Sequence, residues 1–344
     1  MKSSPVTLQS IARHLNISIS TVSRALRGLP EISLETRQAV VDLATKWDYQ
    51  PNQLASSLVN HRTRTIGVIV PNTGYPFFSA IIASMEEAAI REGYSLLLSQ
   101  SNESYQRELV HIQNLLRSQV EGIIISLARD TIDAEHLHRL VRRQVPLVMF
   151  DRYAEGVPVP HVIVDNQLAA RQAVQHLLAN GCRRIAYLAG LPSLKISNER
   201  LLGYQDALAE AGISFDDTLV LHCDFTPDNA IRQTNLLLAM KRPPDGILAF
   251  SDRIAMASMY ALRQQGIRIP DEMAIIGFND EPTSALLTPS LSSVAQPTYE
   301  MGQLTVSLLL AQIQAEQPIQ NAVTHRLNTT LMVRESSGCP LVTG

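Results

Sequence analysis

The chain has 344 residues, room for two or three domains at ~100–200 residues each. Hydrophobic residues make up 45% and charged residues 18%, with aromatics at only 5%, which describes a folded chain with an aliphatic core and excludes wholesale disorder. Net charge is −3, yet residues 1–64 hold eight Lys/Arg against four Asp/Glu, a basic head of +4 on a body of −7, as expected for a nucleic-acid contact confined to one end.

No apolar run approaches the ~18–20 residues of a membrane span. The opening MKSSPVTLQSIARHL has no continuous apolar h-region, so a cytoplasmic protein is expected. Cys182, Cys223 and Cys339 are too far apart for a disulfide framework or a Cys-x-x-Cys site.

In the head, Thr7 is placed to cap a helix from Leu8, with Leu8, Ile11, Ala12 and Leu15 at helical spacing. Ser18 caps a second short helix over Ile19 to Leu26, which Gly28 and Pro30 end. Ser33 caps a third over about Leu34 to Trp47. Three short helices with a tight turn between the first two read as helix-turn-helix. Its second helix enters the major groove by its first turn, which aims Ile19, Ser20 and Arg24 at base edges. Ser18, Thr21 and Ser23 suit phosphate oxygens. A further helix over Pro51–Val59 is too short to hold in water by itself and is expected to form on DNA.

The string TLQSIARHLNISISTVSRAL, residues 7–26, resembles the DNA-binding signature of the lactose repressor (LacI/GalR) family. The likeness continues through TRQAV and YQPNQLASSL and then through the body. It implies Ile19, Ser20 and Arg24 as specificity positions. It also implies a hinge helix in the minor groove, where Leu58 wedges a base step beside the small Ala55 and Asn52 contributes. The domains expected are a head at 1–50, a hinge and linker at 51–64, and a ligand-binding and dimerisation core at 65–344.

In the body, β-rich runs alternate with helical patterns. TIGVIVP, YSLLLSQS, GIIISLA and PLVMFD read as four buried parallel strands, and RIAYLAG, LVLHCDF, GILAFSD and MAIIGFND as a second series. Gly93, Gly181, Gly212 and Gly266 stand where left-handed helix ends are expected. Two βα series imply an α/β fold of two doubly wound parallel-sheet lobes facing across a cleft. The resemblance implies a periplasmic-binding-protein-like core whose chain crosses between lobes near 164–166, 290–293 and 320–323. Lobe 1 would then hold about 65–164 plus 292–321, and lobe 2 about 165–291 plus 322–344.

Ligands in such folds bind outside the carboxyl ends of the strands. Those ends present Asn72 to Phe78, Asp151 and Arg152, Asp165 and Asn166, Phe225, Ser251 with Asp252, and Asn279 with Asp280. Asp165, Asp252 and Asp280 are as well suited to fastening loops as to touching ligand. By resemblance, Phe77 and Phe78 stack on ligand and Arg200 anchors it from the second lobe. Phe225, Ser251 and Asn279 take contact positions, with Asn279 where the family often has Asp. Arg152 and Lys195 add positive charge near Arg200, so the carbohydrate effector expected here extends to an acidic one, a sugar acid or sugar phosphate.

No G-x-G-x-x-G, P-loop, G-x-S-x-G or H-E-x-x-H motif occurs, so neither catalytic residues nor a cofactor or metal is expected. The reading is a ligand-responsive repressor of carbohydrate-utilisation genes, a homodimer on a palindromic operator. A solute-binding protein would need a secretion signal and no basic head. A sugar-processing α/β enzyme with a fused DNA-binding head is the alternative, separable by incubation with candidate sugars.

Overall fold

The computed structural model describes residues 6–49, 63–315 and 323–338. Asn52, Ala55, Leu58 and the rest of the expected hinge helix lie outside the described residues. Contacts divide the chain into two units, Met1–Thr63 and Arg64–Gly344.

The first unit holds α1 (Leu8–Leu15), α2 (Ile19–Leu26) and α3 (Leu34–Lys46). The three expected caps are formed. Thr7, Ser18 and Ser33 each accept a backbone N–H of the first turn, and Thr7 with Ser10 completes a capping box. Asn16, at φ 53°, takes the left-handed turn after α1. Ile11, Val22 and Val40, all fully buried, bring one residue from each helix into a common core.

The second unit contains two six-stranded sheets. The first is built from β1 (Thr65–Val70), β2 (Ser95–Gln100), β3 (Gly122–Ile125), β4 (Leu147–Phe150), β5 (His161–Val164) and β11 (Thr324–Leu327), in the order β11-β5-β4-β3-β1-β2. The second comprises β6 (Ile185–Ala189), β7 (Val220–His222), β8 (Gly246–Ala249), β9 (Ala274–Asn279), β10 (Ser292–Ala295) and β12 (Thr330–Met332), in the order β12-β10-β9-β8-β6-β7. All pairings are parallel except β10 with β12. Along β1 the side chains alternate between two cores, Val68 and Val70 on one face and Ile69 on the other, as period-two strands require.

The helices follow the strands as expected: α4 (Pro76–Arg91), α5 (Tyr105–Arg117), α6 (Glu135–Arg142), α7 (Asn166–Ala179), α8 (Lys195–Glu210), α9 (Pro227–Leu238), α10 (Asp252–Gln264) and α11 (Thr298–Gln314). Gly93, Gly181, Gly212 and Gly266 all have positive φ. Gly203 answers a different need: a Cβ there would strike the Gln167 carbonyl oxygen where α8 packs on α7.

Three expectations need correction. β10 belongs to the second sheet, so the second crossing falls after Ala295 rather than near 290–293. β11 belongs to the first sheet, so the third falls between Leu327 and Thr330 rather than near 320–323. Short polar strands carry no local mark of their partner; pairing with β9 and with β5 decides. The SLLLSQ strand is not buried. It is the edge β2, with Leu97 39% and Leu98 42% exposed.

Candidate effector cleft and nucleic-acid interface

The helical period separates the two duties of α2. Val22 and Ala25 turn inward, while Ser18, Ile19, Ser20 and Arg24 are exposed, Ile19 by 48%. An exposed isoleucine at the start of a helix has no packing role and suits contact with a thymine methyl or sugar edge. The Ser18 hydroxyl accepts the Thr21 N–H at 3.0 Å and lies 2.7 Å from the Ser20 hydroxyl and 2.8 Å from that of Thr21. Thr21 and Ser23 are half-buried. Arg24 meets Glu31 at 3.4 Å, both largely in solvent, a pair weak enough for a base or phosphate to replace.

In the second unit, a cleft enclosing roughly 550 Å³, its open mouth included, lies where the carboxyl ends of both sheets meet. One wall is aromatic. Pro76 occupies the first turn of α4, where its missing N–H costs nothing, and Phe77 and Phe78 follow from that turn. Phe78 packs edge-on against Phe77 at 5.2 Å and stacks with Tyr75 at 6.4 Å. Opposite, Phe225 tilts against Phe250 at 5.3 Å. Facing aromatic surfaces of this kind suit the apolar C–H faces of a flat ring.

Polar groups enter between them. Arg200 is 3% exposed, its guanidinium carbon 3.4 Å from the Phe278 ring centroid. Its Nε donates to Asn166 at 2.9 Å and its Nη1 to the Phe250 carbonyl at 2.6 Å. Its Nη2 has no hydrogen bond among the described residues. Burial pulls its pKa down to about 10. The Asp151 carboxylate, on a residue at φ 57°, has as partners among the described residues only Ser126 at 3.5 Å and Arg152 Nε at 3.9 Å, and burial pushes its pKa up to about 6. Ser251 caps α10, and Asn279 accepts from Gln296 at 2.7 Å. Arg253 lies over the Tyr75 ring at 4.8 Å, closing the cleft from the opposite lobe. Glu281, 6% exposed, is pushed up to about 7 by burial and by the negative charge of Asp252.

Eight of the nine expected ligand residues line this cleft: Phe77, Phe78, Asp151, Arg152, Arg200, Phe225, Ser251 and Asn279. Lys195 does not. It pairs with Glu155 and lies over the Tyr153 ring in an adjoining space. Arg152 lines the cleft, but Glu103 holds it bidentately at 2.6 and 3.1 Å, so its charge is already met. Asp165 caps α7. Asp280 pairs with Arg334 at 2.7 Å. The fully buried Asp252 accepts from Ser293 at 2.6 Å, Ser284 at 2.8 Å and the Glu281 N–H at 2.7 Å. These three acids fasten loops.

Of the cleft residues not singled out from sequence, Phe250 and Arg253 flank Ser251 and Asp252, so the strand-end rule could have reached them. Gln296 was hidden by the misplaced crossing. Among the described residues no group of three or more His, Cys, Asp or Glu is placed to hold a metal ion, and no helix is long and apolar enough to cross a membrane.

Residues 7–52 match the profile of bacterial regulatory proteins of the lacI family, and residues 174–337 that of the periplasmic binding protein-like domain. The ribose operon repressor of Halalkalibacterium halodurans is 32% identical over 96% of this chain and 97% of its own. The chain belongs to the lacI family of bacterial regulatory proteins. Among solved structures, the transcriptional regulator CelR in complex with cellobiose is 32% identical, with a TM-score of 0.73 over 96% of this chain and 99% of that one. The lac repressor dimer bound to operator and the anti-inducer ONPF is 26% identical, with a TM-score of 0.86 over 98% of this chain and 100% of that one. This member of the lacI family is therefore a DNA-binding transcriptional regulator whose core holds an effector cleft.

Proposed function

We propose that this regulator represses carbohydrate-utilisation genes from the cytoplasm, binding a palindromic operator as a homodimer and releasing or tightening on a carbohydrate effector, without catalysing a reaction. The observation that carries the reading is the cleft itself. Aromatic faces from both lobes enclose a buried arginine with a spare N–H donor and a buried carboxylate with spare acceptor capacity, the complement of a ring bearing hydroxyls. Ser18, Ile19, Ser20, Thr21, Ser23 and Arg24 would meet the operator, with Asn52, Ala55 and Leu58 at the hinge. Exposed Leu97, Leu98, Tyr260 and Leu286 offer apolar surface for a second copy to cover. The charges lining the ring site nearly cancel: Arg200, Arg253 and the Glu103-bound Arg152 stand against Asp151 and Glu281.

Ligand coupling follows from linkage. A ligand touching both lobes favours one lobe arrangement, and DNA affinity changes by the same free energy that DNA exerts on the ligand. A thermal-shift screen of sugars, sugar acids, sugar phosphates and nucleobases, followed by operator binding with each hit, tests this. A sugar that raises the melting temperature and changes operator affinity supports it. A nucleobase as the sole hit, or turnover of the sugar, overturns it.

A further inference from the structure

A second space of roughly 420 Å³, mouth included, adjoins the ring site and shares Arg152 and Ile196 with it. Its walls come from both lobes, Arg129 and Tyr153 from the first, Ser193 and Lys195 from the second. The lobes already touch here: the Ser193 hydroxyl donates to the Arg129 carbonyl at 3.4 Å, and Arg129 Nη1 donates to the Asp224 carbonyl at 3.4 Å.

The charge in this space differs from that of the ring site. The Arg152–Glu103 pair is neutral, Lys195 faces Glu155 and, at 4.0 Å, Glu199, and the Arg129 guanidinium has no carboxylate at ion-pair distance among the described residues, while the Arg129 backbone N–H donates to Glu103 at 3.0 Å. Glu155 is 75% exposed, and a pair so open to solvent is weak, so a better-placed anion displaces it at little cost. Helix α8 begins at Lys195 behind Leu194, which provides no side-chain cap, and the Lys195 and Ile196 N–H groups have no backbone acceptor among the described residues. Sixteen residues of helix therefore point their positive end at this space. In the wall common to both spaces, Arg152 Nε is buried with no hydrogen bond, on a side chain only 9% exposed, and faces the Asp151 carboxylate of the ring site at 3.9 Å.

We infer that the effector is a two-part molecule, a sugar ring seated among the aromatic residues and a phosphate group bound in this second space, where it bridges Arg129 of one lobe to Lys195 and the first turn of α8 on the other. Such a phosphate ties the lobes together, so it contributes directly to the lobe arrangement that the regulator reads. The inference rests on the carbohydrate reading and sharpens it from sugar to sugar phosphate. It also separates the cations that the sequence placed together: Arg200 serves the ring and Lys195 the anion.

Calorimetry on the full chain tests it with a panel of aldoses and ketoses, their terminal phosphate esters, and neutral disaccharides such as cellobiose. At least one phosphate ester is expected to bind tenfold or more tightly than its parent sugar. Replacing both Arg129 and Lys195 by Gln is expected to return that ester to the parent's affinity. A parent sugar that binds as tightly as its ester, or a double variant that keeps the ester's advantage, overturns the inference and leaves the carbohydrate reading standing. A neutral disaccharide that binds tightest does the same and assigns the space to a second ring. No binding by any member of the panel overturns the carbohydrate reading and the inference with it.

Discussion

The recognition helix and the effector cleft assign work to side chains in opposite ways. On α2 the residues that hold the fold, Val22 and Ala25, are different residues from those that face outward, Ile19, Ser20 and Arg24. In the cleft no such division exists. Arg200 is buried, hydrogen-bonded to Asn166 and to the Phe250 carbonyl, and also faces the ligand space. Substitution in the head should change recognition with little change in stability, whereas substitution around the cleft should change both.

The strongest test of that contrast is Asp252, which never touches the ligand space. Its carboxylate binds three donors from loops that shape the cleft, and Gly277 is kept bare because a Cβ would strike it. Asp252→Ala leaves two serine hydroxyls and a backbone N–H buried without their acceptor, so ~3 kcal/mol or more of core stability should be lost. Denaturant unfolding followed in the core would show it. A loss below ~1 kcal/mol would mean that the serines re-pair and that the cleft is not fastened in this way.

Next in size is Arg200→Met, which keeps the aliphatic volume and removes the donors. A hydrogen bond to a charged group is worth ~1.5–3 kcal/mol, so effector affinity should fall roughly ten- to a hundredfold. Some stability should go with it, because Asn166 and the Phe250 carbonyl lose their donor. Calorimetry and thermal unfolding on one sample separate the two effects. Unchanged affinity would remove Arg200 from the ligand site.

Much of this was legible because caps, glycine turns and strand ends are local. Thr7, Ser18 and Ser33 announce helix starts within four residues, and the strand-end rule finds Asp151, Phe225, Ser251 and Asn279 with no three-dimensional information. What was not legible depends on direction or on distant partners. Ile196 and Arg200 are four apart and share the buried face of α8, while Lys195, ~100° round the helix, faces the neighbouring space. Arg152 reads as a free cation until Glu103, 49 residues earlier, is brought against it. The SSVA strand reads the same whichever sheet receives it.

In the head, Arg24→Ala should cost ~1–3 kcal/mol on the cognate operator and relax choice at one base pair, with unfolding unchanged. Glu31→Ala is the control. The exposed pair at 3.4 Å contributes ~1 kcal/mol at most, so its loss should leave operator selectivity intact. Binding measured against a set of single-base operator variants distinguishes base readout from a phosphate contact, which would weaken all sequences alike.

The smallest expected effect, and the one that most sharply divides cleft from head, is pH. Asp151 has a folded-state pKa raised by burial to about 6, above the ordinary 3.8 of an aspartate. The folded chain then binds the proton more tightly than the unfolded chain, so this group's contribution to folding stability is full below about pH 4 and is lost as pH rises through about 6. Effector binding runs the other way. A ligand hydroxyl donates more strongly to the ionised carboxylate than to the protonated acid, whose carbonyl oxygen still accepts, so affinity should fall by up to about tenfold between pH 7 and pH 5. Glu281, raised to about 7, adds to the same trend from its place in the cleft. The Ile19–Leu26 helix contains neither histidine nor carboxylate, so operator binding without effector should stay nearly flat over this window. Measured with a neutral sugar, so that the ligand itself does not titrate, Asp151→Asn should flatten much of the effector profile and Glu281→Gln should reduce the remaining slope. An effector affinity independent of pH in the unmodified protein would show that the Asp151 carboxylate takes no part in holding the ligand.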